Sequence, residues 1–339
     1  MNPASVYVGA AGLACPIGLT WSSAAAAMRA GITRKSISAY HDNQGREIVA
    51  SYLRGLLPED SSCEGRWLFL LTQALRDVAD DSGATALVRM PLFLTLPRAD
   101  DGRAYSSAWV CDALSTRLGV PLSPDNIHIL MAGAYGGYVG LHQGCASART
   151  GKPCVVAGAD SLLSAKRLLA LSEKERLLVD GNSDGLIPGE AAAALMLSTQ
   201  RRQPLARVRG IGFASEQSLI DNDIPLRADG LTAAALAALT DAGLELHDLD
   251  FRLSDAAGES FHFKEQALLV TRLLRQRKLD FPLWLPAETL GDTGAAAGLC
   301  GLLWAMAAWK RNYAPGPRVL ACAGNDEGAR AAVILESAV

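Results

Sequence analysis

Ile127-His128-Ile129-Leu130-Met131-Ala132-Gly133-Ala134-Tyr135-Gly136-Gly137 begins as a strand and ends in a tight, glycine-rich turn. Tyr138–Thr150 then reads as a helix, stopped by Gly151. Cys154-Val155-Val156-Ala157-Gly158-Ala159-Asp160 is an apolar run too short for a helix and reads as a buried strand. Gly189-Glu190 and the run Ala191–Leu197 form a further strand. Strands alternating with helices predict a parallel or mixed sheet covered on both faces.

On the N-terminal side, Val6-Tyr7-Val8 reads as a strand running into a turn at Gly9-Ala10-Ala11-Gly12-Leu13. Pro16-Ile17-Gly18 follows, then a helix over about Trp21–Ala30 ended by Gly31. Residues 33–65 are polar and read as irregular; helices are expected at about Arg66–Asp80 and Ser106–Leu118, with a strand near Leu92–Leu96. After the polar break Gln200-Arg201-Arg202-Gln203-Pro204 the same order returns. Ala206-Arg207-Val208-Arg209-Gly210-Ile211-Gly212-Phe213 echoes the first strand. Gly291-Asp292-Thr293-Gly294 leads into an Ala-rich helix reaching about Lys310. Arg318–Gly324 and Ala331–Leu335 close the pattern. The expectation is an internal duplication with halves 1–200 and 205–339.

With 339 residues, 50% apolar and 20% charged, the chain has the balance of a globular protein and material for about two domains. Its 32 basic and 35 acidic residues give a net charge of −3 without a basic block, which argues against a nucleic-acid or polybasic membrane surface. The nearly uncharged run Gly294–Trp309 is too short and too rich in Gly and Ala for a membrane span. The first basic residue is Arg29, so no charged leader segment is read, and a cytoplasmic protein is expected. Seven scattered cysteines without CxxC or Cys/His spacing read as reduced core thiols, and no metal site is implied. The turns at Gly9–Gly12 and Gly133–Gly137 lack a dinucleotide fingerprint or a Gly-Lys-Ser/Thr ending, so no nucleotide or other cofactor is implied.

Three stretches together resemble the β-ketoacyl synthase family of the thiolase fold: Val6–Gly31, Asp184-Gly185-Leu186-Ile187-Pro188-Gly189-Glu190-Ala191 and Gly291-Asp292-Thr293-Gly294-Ala295-Ala296-Ala297-Gly298. The resemblance implies a duplicated five-layer α-β-α-β-α architecture with two mixed sheets around central helices. It also implies where chemistry would sit, since family members keep a Cys and two His. The Cys position falls on Gly133, in the turn before the helix; the first His falls on Ala257, within one or two residues; the second falls on Asp292. The Lys that usually precedes it falls near Ala287, and no Phe stands at 321–328, where a Phe-Gly gate is expected. Glycine cannot carry an acyl group, and an aspartate would repel a developing enolate. The resemblance therefore implies the fold and argues against the family's activity.

Among the surviving polar residues, Cys145 and His142 share a helical face and form a fallback nucleophile pair, against the plainer reading of a buried thiol and a surface imidazole. Asp292 suits the cap of the Ala-rich helix better than a cation site. Asp184 and Glu190 read as structural braces, and His262 near Glu265 as a solvated helix start. The resemblance further implies a homodimer or heterodimer through about Tyr138–Asp160. The partner would be an active synthase, as for chain-length-factor-type subunits, or a type VI secretion effector, beside which short degenerate synthase-like proteins occur. The competing readings are a divergent acyltransferase and an acyl-binding protein without chemistry.

Overall fold

The computed structural model describes residues 4–58, 61–82 and 84–339. The first part of the chain carries β1 (Val6–Ala14), α1 (Trp21–Arg29), β2 (Lys35–His41), β3 (Glu47–Ser51), α2 (Cys63–Ser82), α3 (Ala84–Arg89), β4 (Leu92–Thr95), α4 (Ser107–Leu118), β5 (Ile127–Leu130), α5 (Gly133–Arg149), β6 (Cys154–Ser161), α6 (Ala165–Glu173) and β7 (Glu190–Ser198). The rest carries β8 (Ala206–Ser215), α7 (Asp229–Ala242), β9 (Phe251–Ser254), α8 (Ser260–Leu273), β10 (Leu283–Trp284), α9 (Ala287–Leu290), α10 (Ala297–Lys310), β11 (Arg318–Gly324) and β12 (Ala329–Ser337).

Ten of these strands form one mixed sheet in the order β10-β9-β11-β12-β8-β1-β7-β6-β4-β5. Each five-strand block runs through its own strands in the same relative order, mirrored about the middle. The blocks meet where β1 and β8 pair antiparallel over Val6–Val8 and Ala206–Val208. The expectation of two separate sheets is therefore corrected: the first strand of each block has its flank free for the other, and pairing satisfies backbone groups that a break would leave open. Beyond Val8, β1 pairs only with β7, and beyond Val208, β8 pairs only with β12, so the blocks diverge and leave room for helices between them.

Those helices are α5 and α10. α10 is buried from Ala297 to Trp309 apart from the partly exposed Trp304, as a helix enclosed by both blocks must be. One hydrophobic cluster unites Leu141 of α5 and Leu299 and Leu302 of α10 with Val156 and Leu195 of one block and Val319 and Val333 of the other. A second joins α2 and α4, through Leu71, Leu75, Val110 and Leu114, to the outer face of the first block. A third joins α7 and α8, through Leu231, Leu239 and Leu269, to the outer face of the second. The alternation is helix, sheet, helix, sheet, helix. Among the described residues no helix is long and apolar enough to cross a membrane.

Several local expectations are revised. Gly9 and Gly12 lie inside β1, and Gly210 and Gly212 inside β8, rather than in turns. A side chain at Gly12 would run into the Ala74 carbonyl of α2, and one at Gly212 into the Ala234 carbonyl of α7. The repeated glycines thus let an outer helix lie close on the first strand of each block. The polar segment 33–65 contains the hairpin β2–β3, whose alternation is weak because both faces are partly solvated. The span Tyr138–Asp160 does not supply an edge strand: β6 is buried along its whole length between β4 and β7, and the edge is β5. The exposed positions of that span are His142, Gln143 and Ala146 of α5 and residues 149–152 at its C-terminal end.

The stretch Asp184–Ala191 proves structural. Asp184 accepts the Ser260 N–H at 2.6 Å and its hydroxyl at 2.7 Å, tying the start of α8 to the first block. Glu190, fully buried, accepts from Arg66 at 2.8 Å, from the Ser161 hydroxyl at 2.8 Å and from the Leu53 N–H at 2.6 Å. Glu190→Ala should cost about 3–5 kcal/mol, because it strands a buried arginine, whereas Glu190→Leu combined with Arg66→Met should cost much less. Urea denaturation of both variants checks this.

Candidate functional site

β5 delivers the chain to Met131-Ala132, and α5 opens at Gly133, five residues ahead of the expected start at Tyr138. The early start follows from small side chains: Gly136, Gly140 and Gly144 form one stripe that faces the sheet. A side chain at Gly140 would come within 3.1 Å of Val156, and one at Gly144 within 2.8 Å of Val156 and Leu197. Glycine is a poor helix former, but here it lets the helix backbone lie on β6. Gly133 itself has φ +59°, is exposed, and would meet only the Asn325 Cβ, at 3.7 Å, if it carried a Cβ.

Gly133, Ala257 and Asp292 come from three separate segments and line one cavity of about 470 Å³. The cavity lies where α5 and the segment leading into α10 begin. Asp160, at the end of β6, accepts the Ala295 N–H at 2.9 Å and pairs with Arg167 at 2.6 Å. Asp292 is not the cap of α10, whose N-cap is Ala296 without a side-chain bond; it accepts the Gly294 N–H at 2.8 Å in the turn before that helix and lines the cavity. Arg176 bridges Glu259 and Asp326, both at 2.6 Å, and clamps the two blocks across the cavity. Arg330 pairs with Glu265 at 2.8 Å. His262 is not merely a solvated helix start: it lines the cavity with its Nε2 3.6 Å from Glu259.

Cys145 does not line the cavity. It is buried in the central cluster, and burial pushes its thiol up to about 12, so it is not a thiolate at neutral pH. His142, three residues earlier, is exposed and lies edge-on to Phe213. All seven cysteines are free and buried. Cys322 does border the cavity, but burial holds its thiol up at about 12 as well. The arrangement therefore offers acceptors and paired charges and no activated thiol.

The carboxyls are the unusual groups. Burial raises Asp292 to about 7, with the nearby charges of Glu259, Asp255 and Asp160 adding to the effect. Burial also raises Asp255 and Glu265, against the opposing pull of hydrogen bonds and of Arg330 and His262. Sequence reasoning singled out neither Asp255 nor Arg176, Arg330 and Glu259. Asp255 and Glu259 flank Ala257 in the sequence, and the ambiguity of register there was the one available signal.

Neither a family model nor a curated protein sequence matches this chain. Solved structures do. The ishigamide ketosynthase/chain length factor superimposes with a TM-score of 0.80 at 17% identity, over 100% of both chains. The ketosynthase (ApeO) in complex with its chain length factor (ApeC) from Xenorhabdus doucetiae gives 0.79 at 16%, over 98% of each chain. A β-ketoacyl synthase from Burkholderia phymatum gives 0.76 at 15%, over 99% of this chain and 100% of that one. The chain therefore has the α/β ketosynthase, or thiolase, fold throughout its length.

The raised Asp292 carboxyl has a consequence for stability. The folded state keeps its proton up to about pH 7, whereas the unfolded chain releases it near about 4. Folding then takes up a proton between those values, so through this group stability falls as pH rises from about 4 to 7. Asp292→Asn keeps an acceptor for Gly294 and removes the ionisation. Relative to the unmodified protein, it should gain stability at pH 8 and little at pH 4, as read from thermal denaturation at the two pH values.

Proposed function

We propose that this chain is a non-catalytic ketosynthase-fold subunit that pairs with another chain of the same fold, in the manner of a chain length factor. The observation that carries the reading is Gly133. At the turn where the resemblance puts a nucleophilic cysteine, the chain has a residue without a side chain, facing an open cavity. The companion positions, Ala257 and Asp292, line the same cavity and supply no imidazole. A thiolate to hold the acyl group and donors to stabilise the oxyanion are the two requirements of the condensing reaction, and the first is missing outright. The halves 1–200 and 205–339 are taken as the units of an internal duplication, and the setting as the cytoplasm.

The solved structures that support the pairing are a ketosynthase/chain length factor and a ketosynthase in complex with its chain length factor. We place the interface at the edge strand β5 and the exposed positions of α5, because β5 ends the sheet with an unpaired flank. The partner is an active condensing synthase or a second copy. A type VI secretion effector is the alternative partner, which a pull-down from the source cells would reveal.

Incubation with acyl-CoA or acyl carrier protein thioesters should leave the intact mass unchanged. A stoichiometric thioester, lost on Cys145→Ala, would overturn the reading in favour of a divergent acyltransferase. Sedimentation of the chain alone and with a co-expressed synthase should show a dimer in at least one case at micromolar concentration. Monomer in both would reject the pairing, and Arg substitutions at His128 and Ala146 should weaken any dimer that forms.

A further inference from the structure

At the end of the sheet opposite β5, several cations stand without a carboxylate partner. Arg29, in the last turn of α1, lies over the Tyr313 ring at 4.5 Å. Lys310, in the last turn of α10, lies over the Trp21 ring at 5.2 Å. Lys35 donates to the Glu288 carbonyl at 2.8 Å. Arg34 and Arg311, their neighbours in the chain, are exposed. Among the described residues none of these five forms an ion pair.

Contacts join the five into one corner. The ring of Trp284, on the edge strand β10, is centred 6.2 Å from that of Tyr313 and 4.8 Å from that of Trp304. Trp21 and Arg29 mark the two ends of α1, about 12 Å apart along the helix, so Lys310 and Arg29 face one neighbourhood. Two carboxylates lie nearby: Glu288, whose charge acts on Lys35, and Asp77, which accepts the Trp21 N–H. The C-termini of α1 and α10 add about half a negative charge each. The five cations outweigh these, so the corner is positive although the whole chain carries a net charge of −3.

The corner also offers apolar contact. Trp284, Trp304 and Tyr313 are half-buried, and Ile32, between Arg29 and Arg34 in the chain, is 53% exposed. β10 is only two residues long and bounded by Pro282 and Pro286, so it is a poor template for an added strand, and side chains must do the holding. Arginine pairs with carboxylates through two parallel hydrogen bonds, and aromatic rings beside arginine are the composition of protein interfaces. A nucleic acid would use the cations and leave Ile32 uncovered.

We propose that this corner docks an acidic segment of a partner protein in which carboxylates alternate with apolar side chains. The carboxylates pair with Arg29, Lys310 and the cations next to them, and the apolar side chains cover Ile32 and Tyr313. None of these residues lines the cavity or lies on β5 or α5, so the surface is separate from the proposed pairing edge.

Fluorescence anisotropy on the full chain tests this with a labelled octapeptide of alternating Glu and Leu. A Gln-Leu octapeptide and a single-stranded oligouridylate are the comparisons. The acidic peptide should bind, more weakly as salt is raised, and the glutamine peptide should not. Arg29→Glu combined with Lys310→Glu alters two exposed, unpaired residues, so the fold should persist, as circular dichroism checks. That variant should weaken acidic-peptide binding roughly tenfold or more. Ile32→Ser, which leaves the charge alone, should weaken it about threefold. Arg89→Glu combined with Arg117→Glu makes the same change in net charge on α3 and α4, and α4 packs on β5 at the other end of the sheet; it should leave binding intact. No peptide binding at millimolar concentration, equal binding of the glutamine peptide, equal loss in the Arg89 and Arg117 variant, or tighter binding of the oligouridylate would overturn the proposal.

Discussion

The packing of α5 on α10 is the constraint from which the rest of the molecule follows. Gly137 of α5 sits so close to Leu299 of α10 that an added Cβ would come within 2.9 Å of its Cγ. Tyr138, buried beside it, donates its hydroxyl to the Gly298 carbonyl at 3.4 Å. Small residues on both helices bring their backbones together, and both helices lay their remaining apolar surface against the inner faces of both five-strand blocks. An ordinary leucine at 137 would separate the helices. It would also move both blocks, because no other element contacts the inner faces of both to the same extent.

That central pair also sets where chemistry is available. Both helices begin at the cavity, so the loops that precede them meet there, joined by the connections after β6, β9 and β11. In this chain the meeting point is an open cavity whose wall is built of ion pairs. Arg176 holds Glu259 and Asp326, and Asp184 holds Ser260, so the blocks are tied across the cavity by charge-assisted contacts. Arg167, Arg176 and Arg330 are spent on structure, while Arg98 and several acids face the cavity without an ion pair.

The sequence conveyed the order of its strands and helices well. The strand, glycine and Ala-rich helix order was readable because period and small-residue content are local properties. Asp184–Ala191 was readable as a brace because its glycines and acid lie within a few residues. What was not legible came from distance or from solvent. The hairpin β2–β3 was missed because its residues do not alternate cleanly between core and water. The edge position of β5 and the interior position of β6 depend on strand order, which no single stretch contains. The site residues Gly133, Ala257 and Asp292 were placed by resemblance, and they meet in space. The partners that define the cavity's charge, Arg176, Asp255, Glu259 and Arg330, did not stand out, because an acid or an arginine looks the same in sequence whether it is solvated or buried.

The pairing of β1 bears on how the chain is made. Its partners are β7, at residues 190–198, and β8, which contributes Ala206–Val208. At a synthesis rate of about 5–20 residues per second, roughly 10–40 s pass before either partner has left the ribosome. Through that interval an apolar strand, with Val6, Val8 and Leu13 destined for the interior, has no neighbour to accept its backbone hydrogen bonds. The first block can assemble only after its last strand arrives, and α5 and α10 can be enclosed only after the second block follows. Long-range pairing of this kind leaves an apolar strand exposed while the chain is being made, a vulnerability set by topology alone.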